Sequence, residues 1–131
     1  MSTLQVGTIK SSSSAAPAFQ NSSGVEKGQL TKLWLDYNGS TNSILGSFNV
    51  SSVTDEATGQ YTVNWSTSAT NVNYCTVFGG IHTSGIVLSR PVIRDPGQVT
   101  KSTSSFRLEV FNSAGAYVDT NRVDVACFGD N

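Results

Sequence analysis

His82 is the chain's only imidazole, so any acyl transfer or proton shuttling built on histidine would have to use it. It follows Gly79-Gly80-Ile81 in a polar stretch, and no Gly-x-Ser-x-Gly turn exists to hold up a nucleophile. That context implies an exposed loop histidine. Glycoside hydrolysis needs two acids about 5–10 Å apart across a cleft. Asp55 and Glu56 adjoin at what reads as a hairpin tip, while Glu109 and Asp124 alternate with apolar neighbours and are expected to face water. Cys75 and Cys127 are too distant in sequence for a zinc knuckle, and no second pair accompanies them. Both read as small core residues, with a disulfide open but not required. There is no Gly-rich phosphate loop, EF-hand loop or metal-spaced cluster. The expectation is no metal, no cofactor and no enzymatic activity.

Binding is a better fit to the residues. In Leu33-Trp34-Leu35-Asp36-Tyr37 a period of two puts Leu33, Leu35 and Tyr37 on one face. Lys32, Trp34 and Asp36 share the other. An aromatic flanked by polar groups on a sheet surface suits a sugar-stacking platform or a subunit contact. Burial of both strand faces in a two-layer core is the plainer alternative.

The elements that would position these residues read as strands. Ser, Thr, Asn and Gly supply 56 of the 131 residues, a bias toward turns and hydroxyl-bearing strands and against long helices. Charged residues are 13% and the net charge is −1, so no basic field is available to hold nucleic acid or anionic lipid. No apolar run approaches the roughly 18 residues of a membrane helix, so no membrane insertion is expected. The start, Met1-Ser2-Thr3-Leu4-Gln5-Val6-Gly7, lacks the regions of a secretory signal, so action outside a cell would require another route. Four Asn-x-Ser/Thr triplets occur, at Asn21, Asn38, Asn49 and Asn64; this composition gives about two or three by chance, and they are not evidence of glycosylation.

Along the chain, strands are predicted at 33–37, 44–53, 60–66, 72–78, 106–110 and 123–128, with a short one at 86–88 and pairing resumed at 116–118. The second and third form a hairpin around Asp55–Gly59. Pro91, Pro96 and Gly97 interrupt residues 81–101. Some seven short strands separated by Gly/Asn/Ser turns predict an all-β fold, an antiparallel β-sandwich over residues 29–131. Residues 1–28 read as an extended amino-terminal arm. Leu4, Val6 and Thr8 alternate as in a short strand, a Ser-rich linker follows, and Phe19 is the one large anchor.

Ser47-Phe48-Asn49-Val50-Ser51-Ser52-Val53-Thr54-Asp55, then Gly59-Gln60-Tyr61-Thr62-Val63-Asn64-Trp65, then Asn73-Tyr74, resembles a segment recurrent in small tail-fibre-like proteins of marine bacteriophages. Trp34-Leu35-Asp36-Tyr37-Asn38-Gly39 is similar to the strand that precedes that hairpin in those proteins. The opening Thr3–Lys10 resembles their amino-terminal arm, and Phe128-Gly129-Asp130 their ending. Trp65 stands where the family usually has Phe, and Gln60 where it often has Asp. The resemblance covers most of residues 1–75 and fades across 79–120. It implies a virion structural protein, a homotrimeric tail-fibre or adhesin component. The arm, with Leu4, Val6 and Phe19, would anchor it to other virion proteins. No long shaft is present, since 28 extended residues span at most about 90 Å. The other readings are a capsid decoration or cement protein and a free carbohydrate-binding module. Host contact is expected in the irregular segment 81–101, where His82, Arg90 and Arg94 offer donors to a host-surface glycan. The Trp34 face is the substitute.

Overall fold

The computed structural model describes residues 5–10, 19–24, 26–28, 30–81, 90–93 and 101–129. By internal contacts the chain divides into two compact units, one running to Leu30 and the other from Thr31 to Asp130.

In the first unit, β1 (Phe19–Gln20) pairs antiparallel with β2 (Glu26–Gly28). The Asn21-Ser22-Ser23-Gly24 segment, read from sequence as linker, is the turn between them. Its backbone closes through Gly24 N–H to the Asn21 carbonyl at 3.0 Å, and the Asn21 side chain accepts from Ser23 N–H at 3.0 Å. The strand expected around Val6 is a correction: residues 5–10 carry no strand, and Val6 and Ile9 are exposed. Alternation alone does not make a strand without a ladder to join.

The second unit is an all-β sandwich of two four-stranded antiparallel sheets, with no helix among the described residues. Its strands are β3 (Leu33–Asn38), β4 (Ser43–Phe48), β5 (Val50–Ala57), β6 (Gln60–Trp65), β7 (Cys75–Ile81), β8 (Arg90–Ile93), β9 (Ser105–Phe111) and β10 (Arg122–Phe128). One sheet has the order β4-β3-β10-β7, the other β5-β6-β9-β8. The central strands carry the strictest alternation, and their inward residues make the core. These are Leu33, Leu35 and Tyr37 of β3 and Val123, Val125 and Cys127 of β10, against Tyr61, Val63 and Trp65 of β6 and Phe106, Leu108 and Val110 of β9. Aromatic rings bridge the layers. Tyr37 meets Tyr61 edge-on at 5.2 Å, and Tyr74 lies between Trp65 and Phe106 at 5.0 and 6.3 Å.

Three strand boundaries differ from the sequence reading. The run 44–53 is two strands in different sheets, hinged at Asn49 (φ 58°). The Asn49 carboxamide donates to the carbonyls of Lys32 and Thr67 at 3.0 and 3.1 Å and accepts from Thr67 N–H at 2.7 Å. A left-handed residue with a short amide side chain thus turns the chain from one sheet into the other. The hairpin itself is β5–β6, closed at Gly59 (φ 65°), where a Cβ would stand 2.7 Å from the Val110 carbonyl oxygen. Strand β7 begins at Cys75 and runs through Gly79-Gly80, which pair with Asp124 and Val123. Pro91 lies within β8, an edge strand, where its missing N–H removes no ladder bond on the open side. The expected strand at 86–88 lies outside the described residues. Pairing does resume at 116–118: Tyr117 bridges Phe111, and Val118 N–H donates to the Val110 carbonyl at 3.1 Å.

Candidate binding groove

On β3, burial of Leu33, Leu35 and Tyr37 forces Trp34 and Asp36 outward, and Trp34 is 43% exposed. Burial of both faces of this strand is therefore not what the fold does. Register then sets the neighbours of these two side chains. Across the outer face of their sheet, one row runs Phe48–Trp34–Ala126–Val77 and the next Gly46–Asp36–Asp124–Gly79. Ala126 and Gly79 stand lower than Trp34 and Val77 beside them, and the relief is a groove.

Ala126 is the low point between Trp34 and Val77, with Asp36, Asp124 and Gly79 at one end. The open depression has a volume of about 390 Å³. Its walls stand on β3 and β7, about 10 Å apart across β10. Gly46 gives the indole room to lean toward β4, since a Cβ there would lie 3.2 Å from its Cζ3. Phe48 and Val77 are more than half exposed, and Phe128, further along β10, is partly so.

Asp36 and Asp124 line the polar end of the groove, and Arg122 meets both carboxylates from just beyond it. Arg122 donates through Nε to Asp36 Oδ1 at 2.9 Å and through Nη2 to Asp36 Oδ2, a two-pronged pair. Its Nε also lies 3.8 Å from Asp124 Oδ1. The Arg122 hydrogen bond holds the Asp36 carboxyl below the usual carboxylate range; burial opposes it less strongly, and the Arg122 charge adds a smaller lowering effect. The same bond raises Arg122 further above its ordinary value. Asp124 keeps about half its side chain in solvent. An apolar aromatic wall beside fixed hydrogen-bond acceptors can stack the C–H face of a sugar and accept from its hydroxyls.

The other residues expected to bind are not gathered here. Arg90 opens β8 opposite Phe111, on the edge of the other sheet from Trp34. His82, Arg94 and Leu4 lie outside the described residues. Val6 and Phe19, both close to half exposed, belong to the amino-terminal unit.

Two residue assignments are corrected. Glu109 does not face water: it is 5% exposed, flanked by Gln60 and Val92, and accepts from the Tyr117 hydroxyl at 3.3 Å. The 112–118 segment folds back over β9, with the Tyr117 and Phe111 rings 4.6 Å apart, and this covers the carboxylate. Cys75 is exposed rather than core, because it opposes Phe128 on the outer face, whereas Cys127 opposes Thr76 and points inward. Both thiols are free. Burial pushes the Cys127 thiol up to about 12. Among the described residues no group of three or more His, Cys, Asp or Glu side chains could hold a metal ion. No helix among them is long and apolar enough to cross a membrane.

Arg122 and Asp124 were not recognised from sequence as partners of Trp34. Alternation places Asp124 outward, but only the strand order sets β10 beside β3.

No protein-family model matches the chain, and no curated protein matches it, so the resemblance to marine-phage tail-fibre proteins finds no matching family. Among solved structures the chain is similar to the phiAB6 tailspike, solved in complex with three-repeated oligosaccharides of Acinetobacter baumannii surface polysaccharide. The identity is 20% and the TM-score 0.45, over 95% of this chain and 30% of that one. The chain thus spans under a third of the tailspike's length.

Proposed function

We propose that this chain is a bacteriophage attachment protein, a tail-fibre or adhesin-like virion component that binds host-surface glycan through the groove beside Trp34. The observation that carries the reading is the exposed indole at the wall of a depression whose polar end carries the Asp36 and Asp124 carboxylates. A lone surface tryptophan needs no explanation; one set at the wall of a depression with acceptors at the next register row does.

Binding proceeds without cleavage in this reading. A glycosidase keeps one carboxylic acid protonated near neutral pH by raising its pKa. In this groove Arg122 acts on Asp36 in the opposite sense. Residues 1–28 serve as the anchor to another virion protein, with Val6 and Phe19 as apolar contacts. Three copies form the particle-borne unit, an arrangement that covers open edge strands.

A glycan array probed with the full chain should show saccharide binding that Trp34→Ala abolishes. Binding unaffected by that substitution would remove the groove from the reading. One observation favours the second reading, a capsid decoration protein. Ile44 and Leu45 on the edge strand β4 are exposed beside Phe48, an apolar margin suited to a protein neighbour. Antibody label on the virion tail supports attachment, and label across capsid facets supports decoration.

A further inference from the structure

Resting on the attachment reading, we infer that the groove accepts non-acidic saccharides, uncharged or amine-bearing, and excludes those carrying carboxylate or sulfate. The inference comes from how the three charges at and just beyond its polar end are disposed. Among the described residues, two carboxylates and one guanidinium leave a formal excess of one negative charge. The guanidinium is also already committed. The edge of Arg122 formed by Nε and Nη2, a fork suited to an incoming carboxylate, is held by both oxygens of Asp36. An acidic sugar could take that edge only by displacing Asp36, whose carboxylate would then stand beside it. Lys32, the nearest lysine in sequence to Trp34, does not line the depression.

Asp124 is the acceptor left for a ligand. It is half exposed and lines the groove. The neighbouring Gly79 carries no side chain to cover it: a Cβ at that position would lie 3.4 Å from the Asp124 Cβ and 3.6 Å from Oδ2. Trp34 belongs to the adjacent outward row, about 7 Å along the strands. A saccharide that spans from the groove-facing side of the indole across Ala126 would bring a hydroxyl or amine to the Asp124 carboxylate. A hydroxyl donates there, an ammonium donates with charge assistance, and a carboxylate is repelled. At such separations, shorter than the ~8 Å screening length of physiological salt, the repulsion persists.

The test measures binding of the full chain to three oligosaccharides of matched length: a neutral hexose oligomer, a glucosamine oligomer and a uronic acid oligomer. The neutral and amine-bearing probes should bind, and the uronate at least tenfold more weakly, with the gap narrowing as salt rises. Asp124→Asn keeps an oxygen acceptor while removing the charge, so it should shrink the gap between the neutral and uronate probes whatever it does to neutral affinity. An unchanged melting temperature for Asp124→Asn shows that the fold is intact. Uronate binding equal to neutral binding, or a gap untouched by Asp124→Asn, overturns the inference and leaves the attachment reading standing. Binding to none of the probes, or binding indifferent to Trp34→Ala, overturns both.

Discussion

The Tyr61 hydroxyl donates to Asp119 Oδ1 at 2.7 Å, and the same oxygen accepts from Gly59 N–H at 2.7 Å. One carboxylate thus ties a core aromatic and the tip of the β5–β6 hairpin to the segment leading into β10. The next residue, Thr120, is fully buried, and its carbonyl accepts from Gly39 and Ser40 N–H at 2.9 and 3.2 Å, which fixes the β3–β4 turn as well. This end of the sandwich is closed by two consecutive residues of one loop.

Removing the Asp119 carboxylate should accordingly destabilise the whole unit. Asp119→Ala leaves the Tyr61 phenol and the Gly59 N–H without this acceptor, a loss of about 2–4 kcal/mol from two part-buried donors. Tyr61→Phe removes one donor and leaves a carboxylate that solvent can reach, and should lose about 1 kcal/mol. Urea denaturation of the two variants and their combination checks the ordering. The double variant should fall short of the sum, because both changes break the same contact.

Asn49 offers a second stability test with a built-in control. Asn49→Ala loses three hydrogen bonds and places a Cβ residue without amide compensation at positive φ, together about 2–4 kcal/mol. Asn49→Gly relieves the backbone but not the lost bonds, and should recover about 1 kcal/mol of that. If the alanine and glycine variants melt together, the left-handed corner is not what the asparagine serves.

Alkali should weaken the fold by acting on a buried phenol and a buried thiol. Burial, with the Asp119 bond adding to it, pushes the Tyr61 phenol well above its ordinary 10.0, and burial raises Cys127 from 9.0 to about 12. The unfolded chain releases these protons first, so the native state holds more protons in that window, and stability falls as pH rises. The Cys127 contribution is fully present below pH 9 and is lost as pH approaches 12. Equilibrium unfolding should show declining stability from about pH 9 upward. Cys127→Ala should flatten the first part of that decline. In native protein near pH 8, a thiol reagent should modify Cys75 and spare Cys127, and equal modification rates would contradict the placement of the two.

The fold was legible in the sequence where one face of a strand is fully buried. β3, β6, β9 and β10 alternate because their inward residues make the core, and the pattern survives without context. Legibility failed where identity depends on a partner. Ile44 to Val53 reads as one strand because nothing in its hydrophobicity marks Asn49 as the point where pairing changes sheets. Gly79-Gly80 reads as a stop, yet β10 supplies the ladder that carries β7 through it. Trp34 stood out as an aromatic on a polar face. Its neighbours did not, since Arg122 and Asp36 are 86 residues apart and meet only through the strand order.

If the groove binds without cleaving, no oligosaccharide it holds should be shortened. Prolonged incubation of the full chain with a bound neutral oligosaccharide should release no new reducing ends from pH 4 to 8. Turnover abolished by Asp36→Asn would show that the Arg122-held carboxylate is catalytic after all, and turnover abolished by Asp124→Asn would show the same of Asp124.

Asp36→Asn gives the sharpest reading of the ion pair itself. Arg122 holds Asp36 ionised, so the pair's contribution is present above the ordinary carboxylate pKa and disappears only as pH falls below it. At neutral pH the substitution removes one negative charge and loosens the guanidinium's Nε–Nη2 edge in a single step. Asp124 then balances Arg122, and the groove's formal charge becomes zero. Both changes act in the same direction on an acidic saccharide. Uronate binding should therefore strengthen by an order of magnitude or more, exceeding the effect of Asp124→Asn, which removes charge but leaves Arg122 clasped. Binding of the neutral probe should change little, because the indole and the Asp124 acceptor remain. Calorimetric titration of both variants with the neutral and uronate probes decides the order. A weaker uronate response from Asp36→Asn than from Asp124→Asn would mean that the clasp on Arg122 does not govern selectivity.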